Sequence, residues 1–336
     1  QRPENDAREE RRPRVLVVGP GAIGCLLAAR LHKAGHDVTL LDRRPKRAAL
    51  IARRGVRVES ARSSIVAMVK ITADTRKSGT ADVVFICVKS GDTAAAVKRA
   101  SPAIGPGTVV VSMQNGLGNV EAISRRVDPS RIVCGVTGHG AINTGAGRVR
   151  HAGSRKTWLT ALRPGSVELG AQVKELLESA GFDTVLADSA YDMMWSKLIV
   201  NAAINPLTAI LDVPNGGLLK NPTARRLMRA AALEAAAVAR SQGIQLAFKN
   251  PVREVEAACR ATAKNISSML QDVRGHRKTE TPFITGFLVR KAARAGIPVP
   301  VNRLLLKTMR MIDSGDGRQT AKKVLRDKIE DLGHTL

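Results

Sequence analysis

The segment R-V-L-V-V-G-P-G-A-I-G at residues 14–24 constrains the fold of this 336-residue chain more than any other feature. A short β-branched run at 14–18 leads into G-x-G-x-x-G, and a helical pattern follows over 22–34. In that context the first glycine permits a tight turn, the second lets a pyrophosphate approach the backbone, and the third lets helix and strand pack closely. Unpaired N–H groups at the start of the helix would bind phosphate. The residues predicted to form this dinucleotide-binding turn are Gly19, Pro20, Gly21, Ala22, Ile23 and Gly24.

Further apolar, β-branched runs alternate with helical stretches in the first half of the chain. They lie at 38–41, 83–88, 109–113 and 132–136. This alternation predicts a doubly wound parallel sheet. Long helical patterns replace it at 190–204, 223–242, 251–263 and 281–295. We therefore expect an α/β protein with a disordered tail at 1–13, an N-terminal Rossmann-type NADP-binding domain at 14–188 and an all-helical substrate domain at 189–336.

The end of the second predicted strand bears on the choice of cofactor. Asp42 stands where an acid would hold the ribose 2′-OH of NAD, and Arg43 and Arg44 follow at once, where a guanidinium would suit the 2′-phosphate of NADP. We favour NADP(H), because two arginines in a strongly basic chain can outweigh one carboxylate. Lys89 and Asn115 follow the next two strands, and the carboxyl ends of such strands line the cofactor crevice.

Composition narrows the function classes. The net charge of +25 is spread along the chain, and aromatic residues make up only 2%, so the sequence lacks the basic and aromatic pattern typical of nucleic-acid binding. The four cysteines form no metal-ligating cluster, so we expect no metal and free thiols in a reducing cytoplasm. No run of 18 apolar residues and no secretory signal are visible, so we expect neither a membrane span nor export.

The stretch W-S-K-L-I-V-N-A-A-I-N-P-L-T-A-I at 195–210 is mostly apolar, and a lysine and two asparagines interrupt it at intervals of four. On a helix, Lys197, Asn201 and Asn205 share one stripe, spaced roughly 6 Å apart. We expect them to line a cleft between the domains, where a partly dry lysine has a lowered pKa and can donate a proton. Pro206 should bend or end the helix. The alternative is a lysine that reaches solvent and two amides that link helices.

The chain resembles the ketopantoate reductases (2-dehydropantoate 2-reductases) from Arg14 to about Leu306. The matching blocks are G-P-G-A-I-G (19–24), C-V-K-S (87–90), Q-N-G-L-G (114–118), T-G-H-G-A (137–141), W-S-K-L-I-V-N-A-A-I-N-P-L-T-A (195–209), P-N-G (214–216), N-I-S-S-M-L-Q-D (265–272) and T-E (279–280). Here Thr281 and Pro282 replace the I-D that usually follows the last block. The lysine and asparagine block together with S-S-M-L-Q-D is specific to that family.

The resemblance implies roles for individual residues. It makes Lys197 the general acid and assigns substrate contacts to Asn115, Asn201, Asn205, Asn215 and Ser268. It assigns cofactor contacts to the glycine turn and to Arg43, Lys89, Asn115, Ala141 and Glu280. It implies hydride transfer from NADPH to C2 of 2-dehydropantoate, which yields (R)-pantoate for pantothenate and coenzyme A synthesis.

Other readings stay open at this point. The same architecture could act on a different substrate, another 2-keto or 3-hydroxy acid. More remotely, the chain could be a non-catalytic cofactor-binding or nucleic-acid-associated protein. We expect a small-molecule substrate, no nucleic-acid or membrane partner, and a homodimer as one option for assembly.

Overall fold

A computed structural model describes residues 12–61 and 63–332 of the chain. Most of the predicted disordered tail at 1–13 falls outside the described residues. The described part of the chain divides into two compact units, one comprising residues up to 114 together with 119–190, the other comprising 115–118 and the residues from 191 onward. The short segment 115–118 therefore belongs with the helical unit, although it lies far from it in sequence.

The first unit alternates strands and helices. Its strands are β1 (Arg14–Val18), β2 (Asp37–Leu41), β3 (Val56–Glu59), β4 (Ser64–Ala67), β5 (Lys70–Thr72), β6 (Ala81–Ile86), β7 (Ile104–Ser112), β8 (Ile132–Thr137), β9 (Gly140–Gly145), β10 (Arg148–Gly153), β11 (Thr157–Ala161) and β12 (Thr184–Leu186). Its helices are α1 (Ala22–Lys33), α2 (Pro45–Arg54), α3 (Thr93–Ala100), α4 (Asn119–Ser124) and α5 (Val167–Ser179).

The main sheet has eight strands in the order β12-β11-β8-β7-β6-β1-β2-β5. The six strands from β8 to β5 run parallel and follow the Rossmann order 3-2-1-4-5-6. The predicted doubly wound parallel sheet is confirmed, with two added strands: β11 pairs antiparallel with β8, and β12 pairs parallel with β11. Strands such as β6 are buried along almost their whole length, which explains their continuous apolar sequence.

A second sheet has the order β4-β3-β10-β9 and packs with α1 into the same apolar core as the main sheet. Its β9–β10 hairpin is formed by the glycine-rich segment at 139–153. The strand predictions miss β3, β4, β5, β11 and β12, which have three to five residues each.

Every regular secondary-structure element among the described residues of the second unit is a helix. The helices are α6 (Ala190–Leu211), α7 (Gly217–Lys220), α8 (Pro222–Ser241), α9 (Pro251–Ala261), α10 (Ser268–Arg274), α11 (Thr285–Arg294), α12 (Pro300–Ser314) and α13 (Arg318–Leu332). The pattern at 281–295 was predicted as one helix; instead a 3-10 turn at Thr281–Phe283 precedes α11. Alanines dominate the buried face of α8, so neighbouring helices can approach α8 closely. The buried residues of α6 belong to the same apolar core.

Among the described residues, no helix is long and apolar enough to cross a bilayer.

Candidate active site

The glycine turn has the geometry that a dinucleotide phosphate requires. Gly19 adopts a φ of +97°, and its N–H donates to the Leu41 carbonyl at 3.0 Å. A Cβ on Gly24 would overlap the carbonyl oxygen of Gly19, so helix and turn can pack only with glycine there. A Cβ on Gly21 would meet only the Cys87 carbonyl, at 3.8 Å. The space beside the Cα of Gly21 is therefore open, while Gly19 and Gly24 are closely packed. This arrangement fits a pyrophosphate bound at the start of α1.

The segment after β6 lies beside that turn. A Cβ on Gly19 would come within 2.7 Å of the Val88 side chain, and the Cys87 N–H donates to the Val18 carbonyl at 2.9 Å. The next residue, Lys89, is half-buried and precedes a 3-10 turn. The structure thus brings Lys89 to the carboxyl edge of the sheet that carries the glycine turn.

A buried polar network behind Lys89 was not predicted from the sequence. The Gln114 amide donates to the Val88 carbonyl at 2.9 Å and to the Thr93 hydroxyl at 2.8 Å, and its oxygen accepts from the Ser112 hydroxyl at 3.2 Å. The network joins the ends of β6 and β7 and the start of α3. Its only sequence signal is that Gln114 belongs to the Q-N-G block.

At the end of β2, the three residues considered for the choice between NAD and NADP, Asp42, Arg43 and Arg44, have different environments. Asp42 is fully buried and forms a two-point ion pair with Arg47 of α2, in which Arg47 Nη2 lies 2.7 Å from Asp42 Oδ1. Arg43 is exposed and donates to Asp92 at 2.8 Å, and Arg44 is exposed. Arg47 was not predicted, because nothing in the sequence shows that the first turn of α2 folds back onto Asp42.

Ala141 lies on β9, is half-buried and pairs with His151 of β10. Two residues earlier in the chain, His139 places Nδ1 3.0 Å from Nε2 of His151 and packs edge-on against Phe182. Burial and the neighbouring His151 lower the pKa of His139 to about 4, so this ring is neutral near pH 7. These contacts fix the strand that carries Ala141.

In the second unit, α6 carries Lys197, Asn201 and Asn205 on one stripe. Lys197 and Asn201 are half-buried and Asn205 is buried. We predicted a bend or an end at Pro206; the helix runs from Ala190 to Leu211 with Pro206 inside it, so it does not end there. Leu207, Ala209 and Ile210 are all buried, and this packing outweighs the local preference against helix before proline.

Burial lowers the pKa of the Lys197 ammonium to about 8, and the carboxylate of Glu280 partly opposes that shift. Glu280 therefore interacts electrostatically with the general-acid candidate. Its position is fixed by Thr279, whose hydroxyl donates to Asp313 at 2.7 Å, and by the 3-10 turn, in which Phe283 N–H donates to the Glu280 carbonyl at 3.0 Å. A lysine charged at neutral pH but with a depressed pKa is suited to proton donation.

Asn115 is half-buried, and its loop is held against the same turn. Leu117 N–H donates to the Phe283 carbonyl at 3.2 Å, and a Cβ on Gly116 would come within 2.8 Å of that oxygen. Gly116, with a φ of +79°, is required both for conformation and for close approach. The loop with Asn115 and the turn with Glu280 are thus packed together.

The remaining predicted substrate residues lie at the far end of α6. Asn215 donates from Nδ2 to the Thr262 hydroxyl at 2.9 Å; its Oδ1 is buried and has no hydrogen-bond partner among the described residues. Ser268 is exposed at the first position of α10. Its neighbour Ser267 is buried, caps α10 and lies 2.7 Å from the hydroxyl of Thr208 on α6. Ser267 therefore fixes α10 to α6, a role that the sequence did not distinguish from that of Ser268.

No group of three or more histidine, cysteine, aspartate or glutamate side chains in the described residues is arranged to hold a metal ion. The four cysteines are free thiols.

The chain matches two family models over most of its length. Residues 15–164 match the model described as ketopantoate reductase PanE/ApbA, and residues 189–313 match the model of its C-terminal domain. The 2-dehydropantoate 2-reductase of Archaeoglobus fulgidus is 36% identical over 90% of this chain and 98% of its own length. That of Halobacterium salinarum is 34% identical over 89% of this chain and 98% of its own.

Two solved structures are similar to this chain over about nine-tenths of its length. A PanE/ApbA family ketopantoate reductase from Ralstonia eutropha has a TM-score of 0.82 at 31% identity and covers 91% of this chain and 99% of its own. A D-mandelate dehydrogenase in ternary complex with NADH and anilino(oxo)acetate has a TM-score of 0.84 at 25% identity and covers 90% of this chain and 98% of its own.

Proposed function

This chain belongs to the ketopantoate reductase family, and from that premise we propose that it reduces 2-dehydropantoate to (R)-pantoate with NADPH. It is an oxidoreductase that acts on a CH–OH group, and the two halves of the chain match the two halves of the family. The reaction belongs to pantothenate and coenzyme A biosynthesis.

The single observation that carries the chemistry is the environment of Lys197. Reduction of a ketone builds negative charge on the carbonyl oxygen, and a positioned ammonium both stabilises that charge and supplies the proton. With a pKa of about 8, Lys197 is charged at neutral pH but releases its proton more readily than a solvated lysine. Glu280 keeps that ammonium protonated at higher pH than burial alone would allow.

Amides suit the rest of the substrate, because they bind hydroxyl and carboxylate groups without adding charge. Asn201 and Asn205 lie one and two turns beyond Lys197 on α6. The buried, unpartnered Oδ1 of Asn215 is an acceptor that a substrate hydroxyl would satisfy. We assign substrate contacts to these three asparagines and to Asn115, together with Ser268.

The first unit fits a dinucleotide. The open space before Gly21 and the tight packing at Gly19 and Gly24 match the needs of a pyrophosphate, and Lys89 lies at the same edge of the sheet. NADPH, when bound, supplies the hydride for C2. We assign cofactor contacts to the glycine turn, Arg43, Lys89 and Asn115, with Ala141 and Glu280 as further candidates.

A steady-state assay with purified full-length protein tests the proposal. NADPH oxidation at 340 nm should require 2-dehydropantoate, and the product should be (R)-pantoate. Absence of turnover with this substrate and either nicotinamide cofactor, in folded protein, would contradict the assignment.

The likeness to D-mandelate dehydrogenase favours one second candidate, a reductase of another 2-keto acid. A panel of branched aliphatic and aryl 2-keto acids decides between the two. Ketopantoate reduction predicts the highest kcat/KM for 2-dehydropantoate, whereas a higher value for an aryl substrate supports the second candidate.

We place the protein in the cytoplasm, in keeping with its four free cysteines. We propose a small-molecule substrate and neither a nucleic-acid nor a membrane partner. A homodimer remains a prediction for solution measurement.

A further inference from the structure

Asp42, at the end of β2, stands at the position where the carboxylate of NAD-dependent Rossmann enzymes recognises the ribose. Here the Asp42 carboxylate is bound instead by neighbouring groups of the protein. Asp42 has no exposed surface. Its Oδ1 accepts from Arg47 Nη2 at 2.7 Å and from the Arg44 N–H at 3.0 Å, and its Oδ2 accepts from Arg47 Nε. Both oxygens are therefore engaged by the protein itself.

We propose that Arg47 sets the cofactor preference of this enzyme by holding Asp42 away from the adenosine ribose, so that the site recognises a 2′-phosphate instead of a 2′-hydroxyl. This inference rests on the proposed function, since it concerns the cofactor of that reaction. Arg47 acts through Asp42 and is a positioning residue.

The charges at the site favour this arrangement. An unpaired carboxylate beside a 2′-phosphate would repel it, whereas the Asp42–Arg47 pair has no net charge. The hydrogen bond to Asp42 raises the pKa of Arg47 above its ordinary value, so the pair is stable as an ion pair. Since the pair is inward-facing, the exposed charges at the turn are those of Arg43, Arg44 and Lys46.

Arg43 can be recruited easily. Its partner Asp92 lies 2.8 Å away, but the two side chains are 52% and 42% exposed. An ion pair so exposed contributes little, whereas a guanidinium bound to a phosphate makes charge-assisted, bidentate hydrogen bonds. A 2′-phosphate would therefore displace Asp92 from Arg43 at small cost.

The decisive experiment measures binding without turnover. Dissociation constants for NADPH and NADH are determined by calorimetry or by quenching of protein fluorescence, together with those of 2′,5′-ADP and AMP as probes of the adenosine end alone. Arg47→Met should reduce the NADPH-over-NADH affinity ratio by at least about tenfold, because it frees the carboxylate. The ratio of 2′,5′-ADP to AMP affinity should fall in parallel.

Two companion variants separate the proposed cause from simple loss of charge. Arg53→Met removes an exposed arginine from the last turn of the same helix, so it should leave the ratio within about twofold. Adding Asp42→Asn to Arg47→Met removes the freed carboxylate and should restore most of the preference. If the double variant stays as impaired as Arg47→Met, the positive charge of Arg47 itself binds the phosphate and the proposal is wrong.

Asp42→Asn alone keeps the test decisive if Arg47→Met does not fold. The proposal predicts that this variant binds NADH as the wild type does, within about threefold, since Asp42 makes no contact with the ribose. A loss of NADH affinity of tenfold or more would overturn it. Ketopantoate turnover by the wild-type protein is scored separately, so failure of the proposed reaction is distinguishable from failure of this inference.

Discussion

The ammonium of Lys197 lies in surroundings that penalise its charge, and one carboxylate, that of Glu280, reduces the penalty. In the free enzyme the deprotonation of Lys197 should appear as the basic limb of the profile of kcat/KM against pH. Reduction by the wild type should therefore decline above a pH of about 8.

Glu280→Gln tests this coupling. Removing the carboxylate withdraws a charge that raises the pKa of Lys197, so the basic limb should move to lower pH. Asp316→Asn, which removes an exposed carboxylate from the same unit, is the matched control and should leave the limb in place. A Glu280→Gln profile identical to that of the wild type would show that the two groups do not interact.

The buried ammonium of Lys197 should lower the free energy of unfolding of the protein. Its folded pKa of about 8 lies below its ordinary value of 10.5, so the unfolded chain binds more protons between these values and stability rises with pH there. Lys197→Met should thus increase the free energy of unfolding at pH 7 by roughly 1–3 kcal/mol. The gain should diminish as the pH rises above about 8. Denaturant titrations at pH 7 and 9.5 measure it, with exposed Lys220→Met as control; a gain independent of pH would argue against desolvation.

At the scale of elements, two substitutions in the glycine turn should separate stability from cofactor binding. Gly24→Ala should lower the free energy of unfolding by roughly 1–3 kcal/mol, because the new methyl overlaps the Gly19 carbonyl. Gly21→Ala meets no close neighbour, so it should change stability by less than about 0.5 kcal/mol while weakening NADPH binding. Thermal denaturation and calorimetry distinguish the two, and a normal affinity in Gly21→Ala would contradict a pyrophosphate at this turn.

Helix α6 shows what local pattern can and cannot predict. The four-residue spacing correctly predicts the polar stripe from Lys197 to Asn205, since spacing alone fixes a helix face. The same local reasoning could not show that the helix continues past Pro206, because burial of the residues that follow depends on contacts with distant helices. Ser267 and Arg47 were missed for a similar reason: their partners, Thr208 and Asp42, become neighbours only in the folded chain.

For the whole molecule, the order of elements and the Rossmann sheet follow from alternating apolar runs, while the second sheet does not. Strands β3 and β4 have four residues each; they pair with each other, β3 also pairs with the distant β10, and both pack on α1. Likewise, no local pattern could assign the segment 115–118 to the helical unit, because that placement depends on Phe283.

The net charge of +25 should also influence catalysis. Both the proposed substrate and NADPH are anions, so a basic protein attracts them, and salt screens that attraction. Raising the ionic strength from about 0.05 M to 0.5 M should increase both KM values several-fold and change kcat by less than about twofold. A neutral osmolyte at equal osmolality is the control, and KM values insensitive to salt would exclude this effect.

The most direct test of the central claim is the turnover of Lys197→Ala with NADPH and 2-dehydropantoate at pH 7. If Lys197 donates the proton, kcat should fall by at least about 10²-fold while the dissociation constant for NADPH stays near that of the wild type. An unchanged kcat in the folded variant would mean that the proton comes from elsewhere, and the account of this site would be wrong.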